Sequence, residues 1–288
     1  MIKFLGTTVL LLTSFSSAAA EIKCTGEDDS LSNVIITSAV NTLTDEEIVR
    51  NGNSISSTAC AGLFDGNDHP LPTYNTGISG DGLLNGETHK KGSPWFASTG
   101  AFITEDDLQD LDGKGGVNDP GWIYLGKDDG NGNGFGVTDL TNWYLNGETF
   151  ELDKYLGVEF SCAKGCVNGE WSINFFKPEE MLRELSSTIF GNSFFDHLAF
   201  SFKVGNETII YDFNFNLIND EINGVFDLSA PHNFSGKYDL SGLSKKDISH
   251  ISLWARDPVN AVSVDEPSNL ALFFTGFLLL GSLRRKLK

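Results

Sequence analysis

The chain has 288 residues, with 20 basic against 39 acidic residues and a formal net charge of −19. This balance argues against nucleic acid as a partner, because phosphate binding needs a basic stripe. Hydrophobic residues make up 40% of the chain and include 22 phenylalanines, so a sizeable core can form, while the many Gly, Asn, Asp, Ser and Thr residues favour an all-β, turn-rich protein.

Residues 1–20 have the organisation of a secretory signal peptide. Lys3 supplies a positively charged start, residues 4–15 are apolar, and residues 18–20 are the alanines of a cleavage site. We expect this segment to direct export by the Sec machinery and then to be removed. Retention as an uncleaved anchor is the alternative.

Residues 21–261 are expected to form a β-sandwich domain. An apolar run at 34–36 predicts an early strand or a short amphipathic piece, and residues 95–103 and 121–126 predict two further strands between loops rich in Asp and Gly. Residues 62–93 are interrupted repeatedly by glycine and proline, which is typical of a loop.

The Asp/Asn/Gly run at residues 128–134 is the most site-like stretch of the chain. Its oxygen-bearing side chains at alternate positions are Asp129, Asn131 and Asn133. Hard oxygen donors at that spacing can converge on a calcium ion, but an EF-hand is excluded because its twelfth position requires glutamate and is Leu140 here. We expect either a looser calcium site, completed by Asp139 or Asp119, or a solvated turn. No other cofactor is indicated.

The second half of the chain shows the clearest alternation of apolar and polar residues. The stretches predicted as strands are 150–162, 170–177, 198–204, 208–217 and 248–256. In the fourth stretch, the side expected to be buried consists of Tyr211, Phe213, Phe215 and Leu217. Residues 179–190, which follow Pro178, are the best helix candidate. The predicted fold is therefore an antiparallel β-sandwich of the jelly-roll type with one short helical insertion.

The chain has an even number of cysteines, and export would place them where disulfides form. They are Cys24, Cys60, Cys162 and Cys166. Of the three possible connectivities, we expect local pairing of Cys24 with Cys60 and of Cys162 with Cys166. The alternative is a metal or redox site, which would favour Cys-x-x-Cys rather than the Cys-x-x-x-Cys spacing present here.

The sequence contains no recognisable catalytic constellation. Gly-x-Ser-x-Gly and His-Glu-x-x-His are absent, and the histidines are scattered singly. A carboxylate pair for glycoside hydrolysis stays open, because it depends on geometry rather than on spacing. Tryptophans could stack on sugars if exposed, although most are expected in the core. The Trp143-Tyr144 pair is the first to examine.

Three short segments form a tail at residues 265–288. The signature Asp265-Glu266-Pro267-Ser268 precedes an apolar run at 270–283, and the basic residues Arg284, Arg285 and Lys286 follow it. A helix over the apolar run would be roughly 21 Å long, short of the ~30 Å hydrocarbon core, and so is a marginal permanent anchor. The basic residues should stay cytoplasmic, which places the preceding chain outside the inner membrane.

The order of these segments resembles the PEP-CTERM sorting signal of Gram-negative bacteria, which an exosortase recognises. Glu266-Pro267-Ser268 matches the second half of the family's Pro-Glu-Pro signature, and Asp265 stands where the first proline is usual. The resemblance covers residues 262–288 and implies a transmembrane sorting helix at 270–283, transient anchoring in the inner membrane and removal of the tail. It also implies delivery to the cell surface or to the extracellular polysaccharide matrix. An ordinary tail anchor is the alternative.

These features together predict a non-enzymatic structural or binding module associated with exopolysaccharide in a biofilm. The alternative is a secreted carbohydrate-active hydrolase on a jelly-roll fold. A strand face with two carboxylates about 5–10 Å apart beside exposed tryptophans would favour the hydrolase. A closed sandwich filled with apolar side chains would favour the module.

Overall fold

A computed structural model of the protein describes residues 28–50, 52–65, 122–130, 133–141, 149–162, 165–185, 195–222, 224, 226–243 and 246–256. The predicted signal peptide at 1–20, the predicted strand at 95–103 and the tail at 262–288 lie outside these residues. Within the described ranges, no helix is long and apolar enough to cross a membrane.

Strands dominate the described part of the chain. In chain order they are β1 Val34–Asn41, β2 Glu47–Val49, β3 Ile55–Ser56, β4 Ala59–Asp65, β5 Trp122–Asp128, β6 Phe135–Val137, β7 Leu140–Thr141, β8 Thr149–Phe150, β9 Leu156–Cys162, β10 Asn168–Phe175, β11 His197–Val204, β12 Glu207–Asn214, β13 His232–Asp239 and β14 Ile248–Arg256. The described helices are α1 Pro178–Leu185 and α2 Phe215–Glu221, with short 3-10 turns at Asp28–Asn33 and Leu152–Lys154.

The strands form two six-stranded sheets. The first has the order β2-β1-β13-β10-β9, with β3 also paired to β1, and the second has the order β4-β12-β11-β14-β5-β6. Strands β7 and β8 form a separate two-stranded ladder. The pairings within the described residues are antiparallel. The predicted all-β, sandwich-like fold is therefore confirmed.

Aromatic rings fill the space between the two sheets. The Trp171 ring centroid in β10 lies 4.6 Å from that of Phe200 in β11, and the Phe202 ring lies 5.1 Å from Tyr238 in β13. These four side chains are at most 2% exposed. Since each large aromatic ring buries about 150–250 Å² of surface, this cluster supplies much of the hydrophobic stabilisation that holds the sheets together.

Gly236 makes room for one of these rings. It pairs with Trp171 in the β10–β13 ladder, and a Cβ atom at Gly236 would collide with the Trp171 indole and with the Ile35 carbonyl oxygen. A residue with a side chain would therefore force either the indole or the neighbouring strand to move. The glycine is required by close packing rather than by a turn.

Helix α1 confirms the predicted helical insertion in its first part. The prediction covered residues 179–190, and α1 ends at Leu185, beyond which residues 186–194 lie outside the described ranges. Pro178 occupies the first helical position, where its missing N–H costs nothing because that donor has no intrahelical acceptor. Met181 of this helix is buried, at 1% exposure.

Helix α2 overturns two sequence predictions. The predicted strand at 208–217 ends at Asn214, where the Asn214 side-chain oxygen accepts hydrogen bonds from the backbone N–H groups of Asn216 and Leu217 at 3.0 and 3.1 Å. This N-cap begins a helix, because it satisfies two of the donors that a helix leaves unpaired at its start. The prediction of a single helical insertion is therefore wrong. Leu217, expected on the buried side of a strand, is 52% exposed.

Candidate functional site

A buried cluster of charged side chains lies on the outer face of the second sheet. We call Asp196, His197, Asp212 and Arg256 the polar cluster. Alternation along β11 directs Leu198 into the core between the sheets and His197 to the opposite face. Asp212 in β12 and Arg256 at the end of β14 share that face, and Asp196 immediately precedes β11.

Two close ion pairs make up the polar cluster. His197 Nδ1 lies 3.1 and 3.0 Å from the two carboxylate oxygens of Asp212, and Arg256 Nη1 donates to Asp196 Oδ2 at 2.9 Å. All four residues are between 1% and 3% exposed. Because water does not solvate these charges, each depends on its partner for compensation.

Backbone hydrogen bonds fix the position of the polar cluster. The Asp196 N–H donates to the Arg256 carbonyl oxygen at 3.2 Å, and the Asp196 carbonyl oxygen accepts from the Phe215 N–H at 2.9 Å. The Asp212 carbonyl oxygen accepts from the backbone N–H and the hydroxyl of Thr58 at 2.8 and 3.0 Å. The cluster therefore ties together β11, β12, β14, the start of α2 and the segment that leads into β4.

Burial and charge act in opposite directions on His197. Burial penalises the imidazolium, but the carboxylates of Asp212 and Asp196 outweigh that effect and raise the pKa of His197 above its ordinary value. The pKa of Asp196 is also raised, chiefly by burial, against the attraction of His197 and Arg256. With His197 protonated and both aspartates ionised, the two positive and two negative charges of the cluster cancel.

A histidine held by a carboxylate is also the arrangement found in general-base catalysis. Here the His197 ring also packs edge-on against the Trp122 ring, with centroids 5.5 Å apart. The two ion pairs of the cluster are closed off from solvent, and Asp196 Oδ1 has no hydrogen-bond partner among the described residues. The chemistry that the geometry supports is charge compensation inside the fold.

The predicted calcium ligands are only partly described, so the calcium site stays a prediction. Asp129 is exposed and forms an ion pair with Lys127, with Nζ 2.8 Å from Oδ1. Asp139 has a raised pKa, caused by partial burial and by the carboxylates of Asp153 and Glu151. Asn133 is exposed, and Asn131 lies outside the described residues, as does Asp119. Among the described residues, no group of three His, Cys, Asp or Glu side chains could hold a metal ion.

The cysteines follow the structural prediction where they are described. Cys162 and Cys166 form a disulfide with a Cα–Cα separation of 5.0 Å, at the turn between β9 and β10. Cys166 has φ of 51°, a left-handed conformation that lets the chain return over this short distance. Cys60 is also disulfide-bonded, and Cys24, its predicted partner, lies outside the described residues.

The described tryptophans are buried and do not form surface platforms. Trp122 and Trp254 are 0% exposed and Trp171 is 2% exposed. Trp254 packs edge-on against Tyr124, with ring centroids 4.9 Å apart. The predicted Trp143-Tyr144 pair lies outside the described residues, as do the sorting-signal residues Asp265 to Ser268 and Arg284 to Lys286.

The polar cluster is not predicted by the sequence patterns described above. The sequence does contain an indication of the cluster, because Asp212 and Arg256 are charged residues within apolar strands. Charged residues in such positions require a buried partner. The partners could not be named, because they depend on the register between strands that are distant in the sequence.

Comparison of the chain with family models, with curated proteins and with solved structures finds no match.

Proposed function

We propose that this protein is an exported β-sandwich module of the jelly-roll type that reaches the cell surface or extracellular matrix by exosortase sorting and catalyses no reaction there. The signal peptide at 1–20 directs export, residues 21–261 form the working domain, and the tail at 262–288 carries a transmembrane helix at 270–283 until the exosortase removes it. The tail motif supports the sorting step.

The burial of the three described tryptophans is the observation that supports the module over the hydrolase. A glycoside hydrolase of this architecture needs a strand face where carboxylates and aromatic rings meet a sugar chain. Trp122, Trp171 and Trp254 are instead covered, and the carboxylates of Asp196 and Asp212 are held by cations of the same chain. These rings and charges serve the fold, which favours the module.

The net charge and the disulfide support a function outside the cell. The chain carries 39 acidic against 20 basic residues, and four of the basic residues are Arg284, Arg285, Lys286 and Lys288 in the tail, so the exported part is more acidic still. Self-repulsion of this kind keeps a surface protein soluble. The disulfide between Cys162 and Cys166 suits an oxidising compartment. Exopolysaccharide is the partner we propose.

Sorting is tested by intact-mass measurement of the protein released by a Gram-negative host that contains an exosortase. We expect the parent and the flanking control Asn269→Ala to be released without the apolar run, because both keep the signature. The double variant Glu266→Ala/Pro267→Ala should stay in the membrane fraction with its tail. If the released parent protein still ends at Lys288, the sorting proposal is contradicted.

Binding without catalysis is tested on an array of bacterial polysaccharides, with and without calcium. We expect retention on at least one acidic or neutral polysaccharide and no increase in reducing ends with time. Release of reducing ends in proportion to enzyme concentration would establish the hydrolase instead. Absence of retention on every polysaccharide would leave a structural role without a sugar ligand.

A further inference from the structure

The two sheets differ on the faces that point away from the core. On the second sheet this outer face is covered, since Ser201, Ile210 and Trp254 are at most 1% exposed. On the first sheet the outward positions of β9, β10 and β13 reach solvent, and Glu159 and Ser235 are exposed. Of the two outer faces, the one on the first sheet is therefore open to a partner.

A row of polar side chains crosses the middle of this open face. The register pairs Glu159 in β9 with Ser172 in β10, and Ser172 with Ser235 in β13. Ser38 in β1 continues the row beyond Ser235. We call these four residues the polar row. Neighbouring strands lie about 4.8 Å apart, so the row repeats at close to the length of one sugar ring in an extended glycan. Its hydroxyl groups both donate and accept hydrogen bonds, and the Glu159 carboxylate accepts them.

An aromatic ring flanks the polar row. Phe176 follows β10 and is 50% exposed. Leu156 and Val158 of β9 are buried in the core, so Gly157 between them faces outward, as does Glu159. A Cβ atom at Gly157 would lie only 2.7 Å from Phe176 Cζ. The Phe176 ring therefore lies on the open face beside the polar row, at a place that the glycine leaves clear, and half of its surface is in contact with solvent.

The charges on this face favour a neutral partner. Glu170, two positions before Ser172 in β10, forms an ion pair with Lys237 in β13, with 3.1 Å between Oε1 and Nζ. Glu159 adds a further negative charge, on a chain whose net charge is −19. An anionic polymer or a second copy of the chain would therefore be repelled. A lipid surface would gain little, because serine and glutamate side chains offer little apolar area to bury.

We propose that the open face of the first sheet binds a neutral, hydroxyl-rich polysaccharide, whose hydroxyl groups form hydrogen bonds with the polar row while one sugar ring stacks on Phe176. A sugar ring suits both contacts, because its edge carries hydroxyl groups and its face carries C–H groups that pack on an aromatic ring. This inference rests on the exopolysaccharide partner of the proposed function. It goes further by selecting the neutral class and one face of the protein.

The chemical class is tested by electrophoresis of the exported, oxidised protein in native gels that contain a dissolved polysaccharide. The neutral probes are dextran, mixed-linkage β-glucan and galactomannan, and the acidic probe is alginate. We expect at least one neutral probe to retard the protein and alginate to have no effect. Retardation by alginate alone would overturn this inference and leave the proposed function standing. Retardation by none of the probes would overturn it together with the proposed polysaccharide partner.

Substitutions on the open face test the place of binding. Phe176→Ala should weaken binding of the retarding polysaccharide about tenfold, whereas Phe176→Tyr keeps the ring and should bind like the parent. Leu217→Ala is the matched control, because it shortens a side chain of α2 that is 52% exposed. The double variant Ser172→Ala/Ser235→Ala should also lose about tenfold through its missing hydrogen bonds, and Ser249→Ala in β14 should lose nothing.

A measurement on the parent protein needs no variant to fold. Titration with an oligosaccharide of the retarding polysaccharide should shift the backbone amide resonances of Ser172 and Ser235 in NMR spectra and leave that of Ser249 in place. If the shifts fall on another surface, or if the Phe176→Ala and double serine variants bind as tightly as the parent, the glycan binds elsewhere. Either result would overturn this inference while the proposed function stands.

Discussion

His197 and Asp212 face each other diagonally across the β11–β12 pair, with Nδ1 of the imidazole 3.0 Å from Oδ2 of the carboxylate. Both side chains are almost fully buried, at 3% and 1% exposure. A pair of this kind adds little compared with well-packed apolar residues, yet the loss of one member is costly because the other charge is left uncompensated. A single substitution in this pair should therefore separate the contribution of charge to stability from the contribution of packing.

We predict that Asp212→Asn lowers the free energy of unfolding by about 3–5 kcal/mol, the range for one broken buried pair. The same substitution should lower the pKa of His197, because the attraction of Asp212 is lost while the penalty of burial remains. Urea unfolding measures the first effect and an NMR titration the second. Glu159→Gln, at an exposed position of β9, is the matched control and should change stability by no more than about 0.5 kcal/mol. An equal loss in both variants would contradict the prediction.

Stability should fall as the pH rises above the ordinary histidine value, because of His197. Its pKa is raised above 6.5 in the folded state, so between these two values the folded protein binds more protons than the unfolded protein. Stability then decreases with increasing pH across that interval. Urea midpoints measured from about pH 6 to about pH 9 should show this decline in the parent. A His197→Gln variant that shows the same slope would assign the decline to another group.

His232 should produce the opposite slope in acid. Its pKa is lowered from 6.5 to about 4, so the unfolded protein binds more protons between these values and stability decreases as the pH falls. The full effect is about 3 kcal/mol. The pKa of Asp196 is raised above 3.8, so above that pH Asp196 makes stability increase as the pH falls. Because the two groups oppose each other, the effect of His232 must be measured by comparing the parent with a variant. The parent should lose more stability than His232→Phe between about pH 6.5 and pH 4, and parallel curves would rule out His232 as the cause.

The strands that alternate cleanly could be predicted from the sequence, and those that use special residues could not. Strands β11 and β14 lie within about one residue of their predicted bounds. The whole of β13 was missed because two of its buried positions are occupied by His232 and Gly236, which are not counted as apolar residues in a sequence pattern. Helix α2 was missed because the apolar alternation continues past Asn214, while the side chain of Asn214 caps a helix instead.

The candidate site was less predictable than the fold for a related reason. The Cys162–Cys166 disulfide joins residues only four positions apart, so their spacing in the sequence was enough to predict the pairing. The partners of Arg256 and His197 are set by pairing between β11, β12 and β14, and a shift of one residue in that pairing would turn their side chains to the other face. Sequence alone could therefore indicate a need for partners without identifying them.

The Cys162–Cys166 disulfide should make a modest contribution to stability. It closes a very short loop, so it removes little entropy from the unfolded chain, and the double variant Cys162→Ser/Cys166→Ser should lose about 2 kcal/mol. Urea unfolding of the oxidised parent and the variant measures the difference. Peptide mapping without reductant should first show the two residues joined in the parent, with Cys60 still bonded in the variant as an internal control. Free thiols at Cys162 and Cys166 in the exported parent would contradict the assignment.

Lys127 forms an ion pair with the acidic run at the end of β5. Its ammonium group lies 2.8 Å from Asp129 Oδ1, so a calcium ion that uses this oxygen would compete with a cation of the chain itself. Asp128 is engaged too, since its Oδ1 accepts from the Gly130 N–H at 2.7 Å. Removing the positive charge of Lys127 should leave Asp129 free to bind a calcium ion. Without calcium, the same change should increase the repulsion between the neighbouring carboxylates.

We therefore predict that calcium raises the melting temperature of Lys127→Gln more than that of the parent and has no effect on Asp129→Ala. Binding at a hundredfold excess over the dissociation constant stabilises by about 2.7 kcal/mol, which is readily measured by thermal unfolding with millimolar calcium and with chelator. Lys237→Gln is the matched control, because it removes a similar surface pair, 3.1 Å from Glu170, in the other sheet. If calcium and chelator give the same curve in every variant, the Asp/Asn/Gly run is a solvated turn in which Lys127 balances the charge of Asp129.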